Sequence, residues 1–73
     1  MLVDGFTARE IEIARLVTEG LSNGAIAKQL NLSNNTIRYH LKELYSKIGQ
    51  SSRAGIAREY LQGAITQTLT DED

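Results

Sequence analysis

The sequence predicts an all-α domain, a bundle of four helices. Its 73 residues suffice for one small core, and 41% of them are hydrophobic while only 5% are aromatic. Apolar residues recur at helical spacing in four segments, each bounded by residues that commonly begin or end helices. Cysteine is absent, so no disulfide can stabilise the chain. A chain this short buries only about 60% of its unfolded surface, and we expect a small stability.

The first predicted helix runs from about Ala8 to Glu19. Thr7 and Glu10 have the spacing of a capping box, in which each side chain accepts a hydrogen bond from the other residue's backbone N–H. Gly20 is a typical residue for ending this helix. The core face is predicted to consist of Ile13, Ala14, Leu16 and Val17.

The second predicted helix is shorter. It begins after Ser22 or Asn23, both good N-caps, and ends near residue 29 or 30. Gly24 in its first turn weakens it by up to about 1 kcal/mol relative to alanine. Asn31 tolerates the left-handed conformation that a tight turn into the next helix requires.

The third and fourth predicted helices complete the bundle. The third begins after Ser33 and ends at Gly49, and the fourth lies between serines 51–52 and Gly63. Residues 64–73 contain few apolar side chains, so we expect them to fray. The strongest helical periodicity of the sequence is the apolar stripe of the third helix, which comprises Ile37, Leu41, Leu44 and Ile48.

Charge is distributed unevenly along the chain, whose formal net charge is −1. Taken alone, this value argues against a nucleic-acid partner. However, residues 22–58 carry six basic side chains and one acidic side chain, or +5, while residues 1–21 carry −2 and residues 59–73 carry −4. Because electrostatic fields are local, the central basic segment is the candidate for binding nucleic acid.

Several classes of function are disfavoured by the residues present. One histidine without cysteine disfavours a zinc site, and no phosphate-binding loop or nucleophile motif occurs. Glu10 and Glu12 point to different faces of a helix and do not form a catalytic pair. No apolar run could cross a membrane or serve as a signal peptide. We expect no enzyme activity, cofactor, metal, membrane association or small-molecule ligand, and a cytoplasmic location, since small secreted domains usually carry disulfides.

The outer face of the third helix carries the candidate DNA-binding residues. Asn35, Arg38 and Lys42 are spaced by three and four residues and therefore line one ridge. Arginine and lysine can bond guanine, and asparagine can bond adenine, in the major groove. Ser33 and Thr36 at the helix N-terminus can bind a phosphate. An ordinary solvated helix face is the alternative interpretation.

Two helices joined by a short turn, the second amphipathic and basic, form a helix-turn-helix arrangement, here at about residues 22–41. We assign residues 1–66 to this domain and residues 67–73 to an acidic, disordered tail. Tyr39 either stacks at the groove edge or covers apolar surface. His40 either donates to a phosphate or, as we prefer, packs against or orients its neighbours.

The ordered motifs resemble those of the LuxR/FixJ/NarL/GerE class of bacterial DNA-binding domains, without a wing. They are FTAREIEI at residues 6–13, GLSN at 20–23, IAxxL at 26–30, LSxxTIRxHL at 32–41 and KIGxxxR at 47–53. This sequence departs from the family in having Gly24-Ala25 in place of Lys-Glu, and Gly55-Ile56 in place of Glu-Ala.

The resemblance implies that the third helix enters the major groove and that the fourth mediates dimerisation. Base contacts are implied for Arg38, Tyr39 and Lys42, and phosphate or structural contacts for Lys47 and Arg53. The complete predicted DNA-binding set is Ser33, Asn34, Asn35, Thr36, Arg38, Tyr39, Lys42, Lys47 and Arg53, and the predicted dimer set is Ala54, Ile56, Ala57 and Arg58.

Sequence-specific binding of double-stranded DNA by the output domain of a transcriptional regulator is therefore our first hypothesis. The expected partners are DNA, a second copy of the chain and RNA polymerase. One alternative is a helical protein-interaction module that keeps the fold without binding DNA. Another is a promoter-binding domain similar to region four of sigma factors, although the segment KIGQSSR argues against it.

Overall fold

Four helices and no strand make up the part of the chain that the computed structural model describes, residues 5–65. The helices are α1 (Ala8–Thr18), α2 (Asn23–Leu30), α3 (Asn34–Ile48) and α4 (Arg53–Leu61). The all-α prediction is confirmed, and α1 ends one residue before the expected Glu19. The predicted tail, residues 67–73, lies outside the described residues.

Every helix begins after a hydroxyl side chain that accepts a hydrogen bond from the backbone N–H three residues later. Such a cap contributes about 1 kcal/mol. At α1 the full capping box is present, because the Thr7 N–H also donates to Glu10 Oε1 at 2.9 Å. The four capping pairs are Thr7 with Glu10, Ser22 with Ala25, Ser33 with Thr36 and Ser52 with Gly55.

The turn between α2 and α3 fixes how these two helices pack. Asn31 adopts the left-handed conformation, with φ 59° and ψ 45°, as expected of a residue whose short polar side chain tolerates it. The Leu32 N–H donates to the Ala27 carbonyl at 2.8 Å, which closes the turn. The chain can therefore reverse within three residues and start α3 at its Ser33 cap.

One apolar core lies between the helices. α1 packs against α4 and α3, and α2 packs chiefly on α3. The stripe predicted on α3 is buried at Ile37, Leu41 and Leu44 and half-buried at Ile48. The fully buried large side chains are Ile13, Leu16, Ile26, Ile37, Leu44, Ile56 and Ile65.

The chain remains ordered past α4, where the sequence predicts fraying. Gly63 has a φ of +82°, and the Ala64 N–H donates to the Glu59 carbonyl at 2.9 Å. This reversal returns the chain to the core, where Ile65 is only 1% exposed. The expectation of fraying is therefore wrong for residues 64–65, because one apolar side chain suffices to anchor the turn.

Two helical glycines have opposite surroundings, which leads to a prediction about stability. A methyl group at Gly24 would meet no atom closer than 3.9 Å, whereas at Gly55 it would lie 2.7–2.9 Å from Gln50, including 2.8 Å from its Cβ. We expect Gly24→Ala to raise the free energy of unfolding by up to about 1 kcal/mol. Gly55→Ala should lower it by about 1 kcal/mol, because overpacking outweighs helix propensity.

Urea denaturation of both glycine variants beside the wild type checks this prediction. Gly24→Ala serves as the matched control, since it makes the same chemical change in the first turn of α2. Equal stabilisation by both substitutions would show that the Gln50 contact does not restrict residue 55.

Candidate nucleic-acid interface

The outer face of α3 carries a continuous exposed polar surface. Arg38 and Lys42 are exposed one turn apart, and Tyr39 beside them is 60% exposed. These three side chains lie opposite the buried stripe, as their spacing predicts. Asn34, Asn35 and Ser46 are also exposed. The residues expected on the outer ridge are therefore all accessible to a partner.

The N-terminus of α3 lies at one end of this surface. Ser33 Oγ accepts a hydrogen bond from the Thr36 N–H at 3.0 Å and lies 2.9 Å from the Thr36 hydroxyl. The first N–H groups of a helix have no acceptor within the helix, and the aligned peptide dipoles favour an anion there. The start of α3 is thus suited to a phosphate, beside side chains suited to base edges.

Ion pairing divides the basic residues into two groups. On α1, Arg9 pairs with Glu12 at 3.4 Å and Arg15 pairs with Glu19 at 2.9 Å. In contrast, Arg38 and Lys42 of α3 and the exposed basic side chains of α2 and α4 form no salt bridge within residues 5–65. The positive charge of the central segment is therefore available on the surface; it is carried by Lys28, Arg38, Lys42 and Arg58.

Lys47 is already engaged within the domain. Its Nζ donates to Glu10 Oε1 at 2.7 Å, and Glu10 is only 4% exposed. The same Nζ lies 5.5 Å from the centre of the Phe6 ring, within the range of a cation–π interaction. Lys47 thus joins the end of α3 to the start of α1, and a DNA contact by Lys47 stays a prediction.

Glu10 is ionised despite its burial. Burial raises its pKa, but the hydrogen bonds from Lys47 and from the Thr7 N–H, together with the charges of Lys47 and His40, lower the pKa by more. The net pKa therefore lies below its usual value. The carboxylate is a structural anion that fixes α3 against α1.

Arg53, the other basic residue implied to contact phosphate, also binds inside the domain. Its guanidinium donates to Asn23 Oδ1 at 2.5 Å and to the Leu21 carbonyl. The start of α4 is thereby held against the start of α2. Sequence reasoning missed these acceptors, which lie 30 and 32 residues away. A DNA contact by Arg53 stays a prediction.

This arrangement predicts a loss of stability for Arg53 variants. Arg53→Ala should lower the free energy of unfolding by about 1–2 kcal/mol, because it leaves the part-buried oxygens of Asn23 and Leu21 without their donor. Arg53→Lys should recover only part of the lost stability, since an ammonium cannot reproduce the planar, forked arrangement of N–H donors of the guanidinium. Thermal unfolding measures both, with the exposed Arg58→Ala as control. An unchanged melting temperature for Arg53→Ala would contradict the structural role.

The residues expected at a dimer surface differ in their exposure. Ala54 and Arg58 are exposed and Ala57 is half-buried. Ile56 is 0% exposed, so its side chain packs in the core and cannot contact a partner. The prediction for Ile56 is wrong, because this residue faces the other helices of the bundle.

His40 neighbours Tyr39 of the exposed ridge and also influences Glu10, the buried member of the Lys47–Glu10 pair. It is half-buried, its ring contacts Tyr39 edge-on with 5.7 Å between ring centroids, and its charge contributes to lowering the pKa of Glu10. This placement favours the packing and orienting interpretation of His40. The exposed ring of Tyr39 remains available at the surface.

Residues 5–65 contain neither a membrane-spanning helix nor a cluster of metal-ligating side chains. None of the helices in this range is long and apolar enough to cross a membrane. Nor does any group of three or more histidine, cysteine or carboxylate side chains among residues 5–65 form a metal site.

Comparison with known proteins finds bacterial regulators. Residues 4–60 match the family described as bacterial regulatory proteins, luxR family. The probable transcriptional regulatory protein SgaR of Hyphomicrobium methylovorum is 44% identical over 52 residues, which are 71% of this chain and 25% of SgaR. The nitrate/nitrite response regulator protein NarP of Escherichia coli is 36% identical over 56 residues, 77% of this chain and 26% of NarP.

A solved structure is also similar. The response regulator ChrA of a heme-sensing two-component system superposes with a TM-score of 0.78 and is 38% identical, covering 89% of this chain and 33% of ChrA. The chain therefore spans about a quarter to a third of the length of these relatives. The family match at residues 4–60 includes α1, α2, α3 with its exposed ridge, and α4 as far as Tyr60.

Proposed function

We propose that this chain, which belongs to the luxR family of bacterial regulatory proteins, is a helix-turn-helix DNA-binding unit of transcription regulation. It binds double-stranded DNA sequence-specifically, with α3 in the major groove. One observation carries this proposal. Arg38 and Lys42 are exposed on one ridge and form no ion pair within residues 5–65, whereas the arginines of α1 are neutralised.

The side chains on this ridge suit the chemistry of base edges. An arginine or lysine can bond guanine O6 and N7, and an asparagine can bond adenine N6 and N7. The phosphate-binding start of α3 then sets the register of the helix, because phosphate contacts position a protein without specifying sequence. Asn35, Arg38 and Lys42 supply the specificity, and Ser33 and Thr36 lie next to the backbone.

Binding as a homodimer through α4 is the second part of the proposal. A single domain of this size makes few base contacts, and two linked copies gain affinity from paired half-sites. The α4 surface that supports this arrangement includes Ala54, Ala57 and Arg58, together with Leu61, which is 75% exposed. A role in regulating transcription further implies a cytoplasmic location and contact with RNA polymerase.

Selection of binding sites from a random pool of duplex DNA tests the proposed function. We expect one enriched motif with two related half-sites about 10 base pairs apart, the spacing of one helical turn. The double variant Arg38→Ala/Lys42→Ala, selected in parallel, should enrich no motif. Failure of the wild-type chain to enrich any sequence would contradict sequence-specific binding and favour a protein-interaction module.

A further inference from the structure

Lys28 lies on α2, the helix that packs on α3, and no motif assigns it a role. A Cβ atom at Gly24 would lie 3.9 Å from Asn34 Oδ1, so the start of α2 and the start of α3 are neighbours. Gly24 and Lys28 are four residues apart and therefore share one face of α2. Lys28 itself is exposed. Its ammonium group thus extends from the helix that lies alongside α3.

The electrostatic surroundings of Lys28 favour an anionic partner. Residues 20–42 contain no aspartate or glutamate, and Lys28 forms no salt bridge with any residue in the range 5–65. A lysine without a carboxylate in its own helix–turn–helix segment contributes an uncompensated positive charge. Charges of this kind attract a polyanion more strongly than a neutral or zwitterionic partner.

We propose that the Lys28 ammonium binds a phosphodiester of the DNA backbone beside the groove that α3 enters. This inference rests on the proposed function, since it requires α3 to be at the DNA. When the second helix of such a motif lies in the major groove, the first helix crosses the backbone. A lysine is a mobile point charge on a flexible stem and can neutralise a phosphate whatever the base sequence. Lys28 therefore adds affinity and sets orientation, while Arg38 and Lys42 discriminate between bases.

The test compares Lys28→Ala with the wild-type 73-residue chain on two duplexes of equal length, the selected site and an unrelated sequence. We expect a several-fold loss of affinity that is similar for both duplexes. The slope of log K against log salt concentration should fall by about 0.9, which corresponds to one phosphate contact on B-DNA. Lys28→Arg should retain the wild-type slope.

Arg15→Ala is the matched control, because it also removes one positive charge, but from an exposed residue of α1 that is paired with Glu19. This variant should leave the slope of log K against log salt concentration unchanged. Circular dichroism of each variant checks that the fold is retained. An unchanged slope for Lys28→Ala, or a loss confined to the selected site, would overturn the proposal. If Lys28→Ala gives either of these results while Arg38→Ala still weakens binding to the selected site, the role of Lys28 fails and the proposed function stands. If the wild type binds neither duplex, both the role of Lys28 and the proposed function fail.

Discussion

Replacing Arg38 or Lys42 by alanine is expected to reduce affinity for the selected DNA site by roughly 5- to 150-fold each, which corresponds to about 1–3 kcal/mol per bidentate base contact. Both side chains are exposed and lie one turn apart on α3. Their removal takes away hydrogen bonds to base edges and leaves the core of the domain intact. Affinity for an unrelated duplex should fall much less, so the specificity ratio should shrink.

Fluorescence anisotropy with labelled duplexes at a fixed salt concentration measures these losses. Arg9→Ala is a suitable control, because Arg9 is an exposed arginine paired with Glu12 on α1. Its affinity for the selected site should remain within about twofold of the wild type, as expected for a surface charge that is already paired with a carboxylate. Wild-type affinity of the Arg38 and Lys42 variants for the selected site would show that α3 does not contact bases.

Replacing Glu10 by alanine is expected to lower the free energy of unfolding by about 2–4 kcal/mol. The substitution leaves the Lys47 ammonium without its carboxylate and the Thr7 N–H without its acceptor. Removing one member of a fully buried pair costs about 3–5 kcal/mol, and the part exposure of Lys47 reduces that value. The loss would be a large part of the stability of a domain this small.

Urea denaturation at neutral pH measures the effect of Glu10→Ala. Glu12→Ala is the matched control two residues away, where the carboxylate forms only a surface pair with Arg9, and it should change stability by at most about 0.5–1 kcal/mol. Equal effects of the two substitutions would contradict the structural role of the Glu10–Lys47 pair.

The same pair makes stability depend on pH. Because the pKa of Glu10 is lowered in the folded state, the ionised carboxylate stabilises the fold at pH values above its unfolded pKa. This contribution is lost as the pH falls through the folded-state pKa, that is, in the acid range below about 4.3. Glu10→Gln should be less stable than the wild type at neutral pH and should lose less stability on acidification. Parallel acid profiles of the two proteins would contradict this assignment.

Local patterns in the sequence were sufficient to predict the four helices. Helix boundaries depend on capping residues and on left-handed turn positions, and both can be recognised from a few consecutive residues of the sequence. Ser33 caps α3 and Asn31 adopts the left-handed conformation, as predicted. The exposed ridge of Arg38 and Lys42 follows from the same helical periodicity. Fold class and the accessible residues of the candidate site were therefore predictable.

Contacts between distant segments were not predictable in the same way. Lys47 and Glu10 are 37 residues apart, and no periodicity within one helix indicates that a basic residue on α3 will pair with an α1 cap. From the sequence alone, the apolar residue Ile56 of α4 could face either the core or a partner. Only its packing against the other helices shows that it faces the core. The packing of Gln50 over Gly55 likewise depends on how the chain enters α4.

A nuclear magnetic resonance titration with the selected duplex tests most directly whether the exposed face of α3 binds DNA. We predict that backbone amide shifts and line broadening will concentrate at Ser33–Lys47, with smaller changes around Lys28. The amides of α1 from Ala8 to Thr18 should move little, since the two arginines of α1 are already paired with Glu12 and Glu19. Shifts confined to α1 or α4, or no shifts at low salt concentration, would contradict the assignment of α3 as the DNA-reading helix.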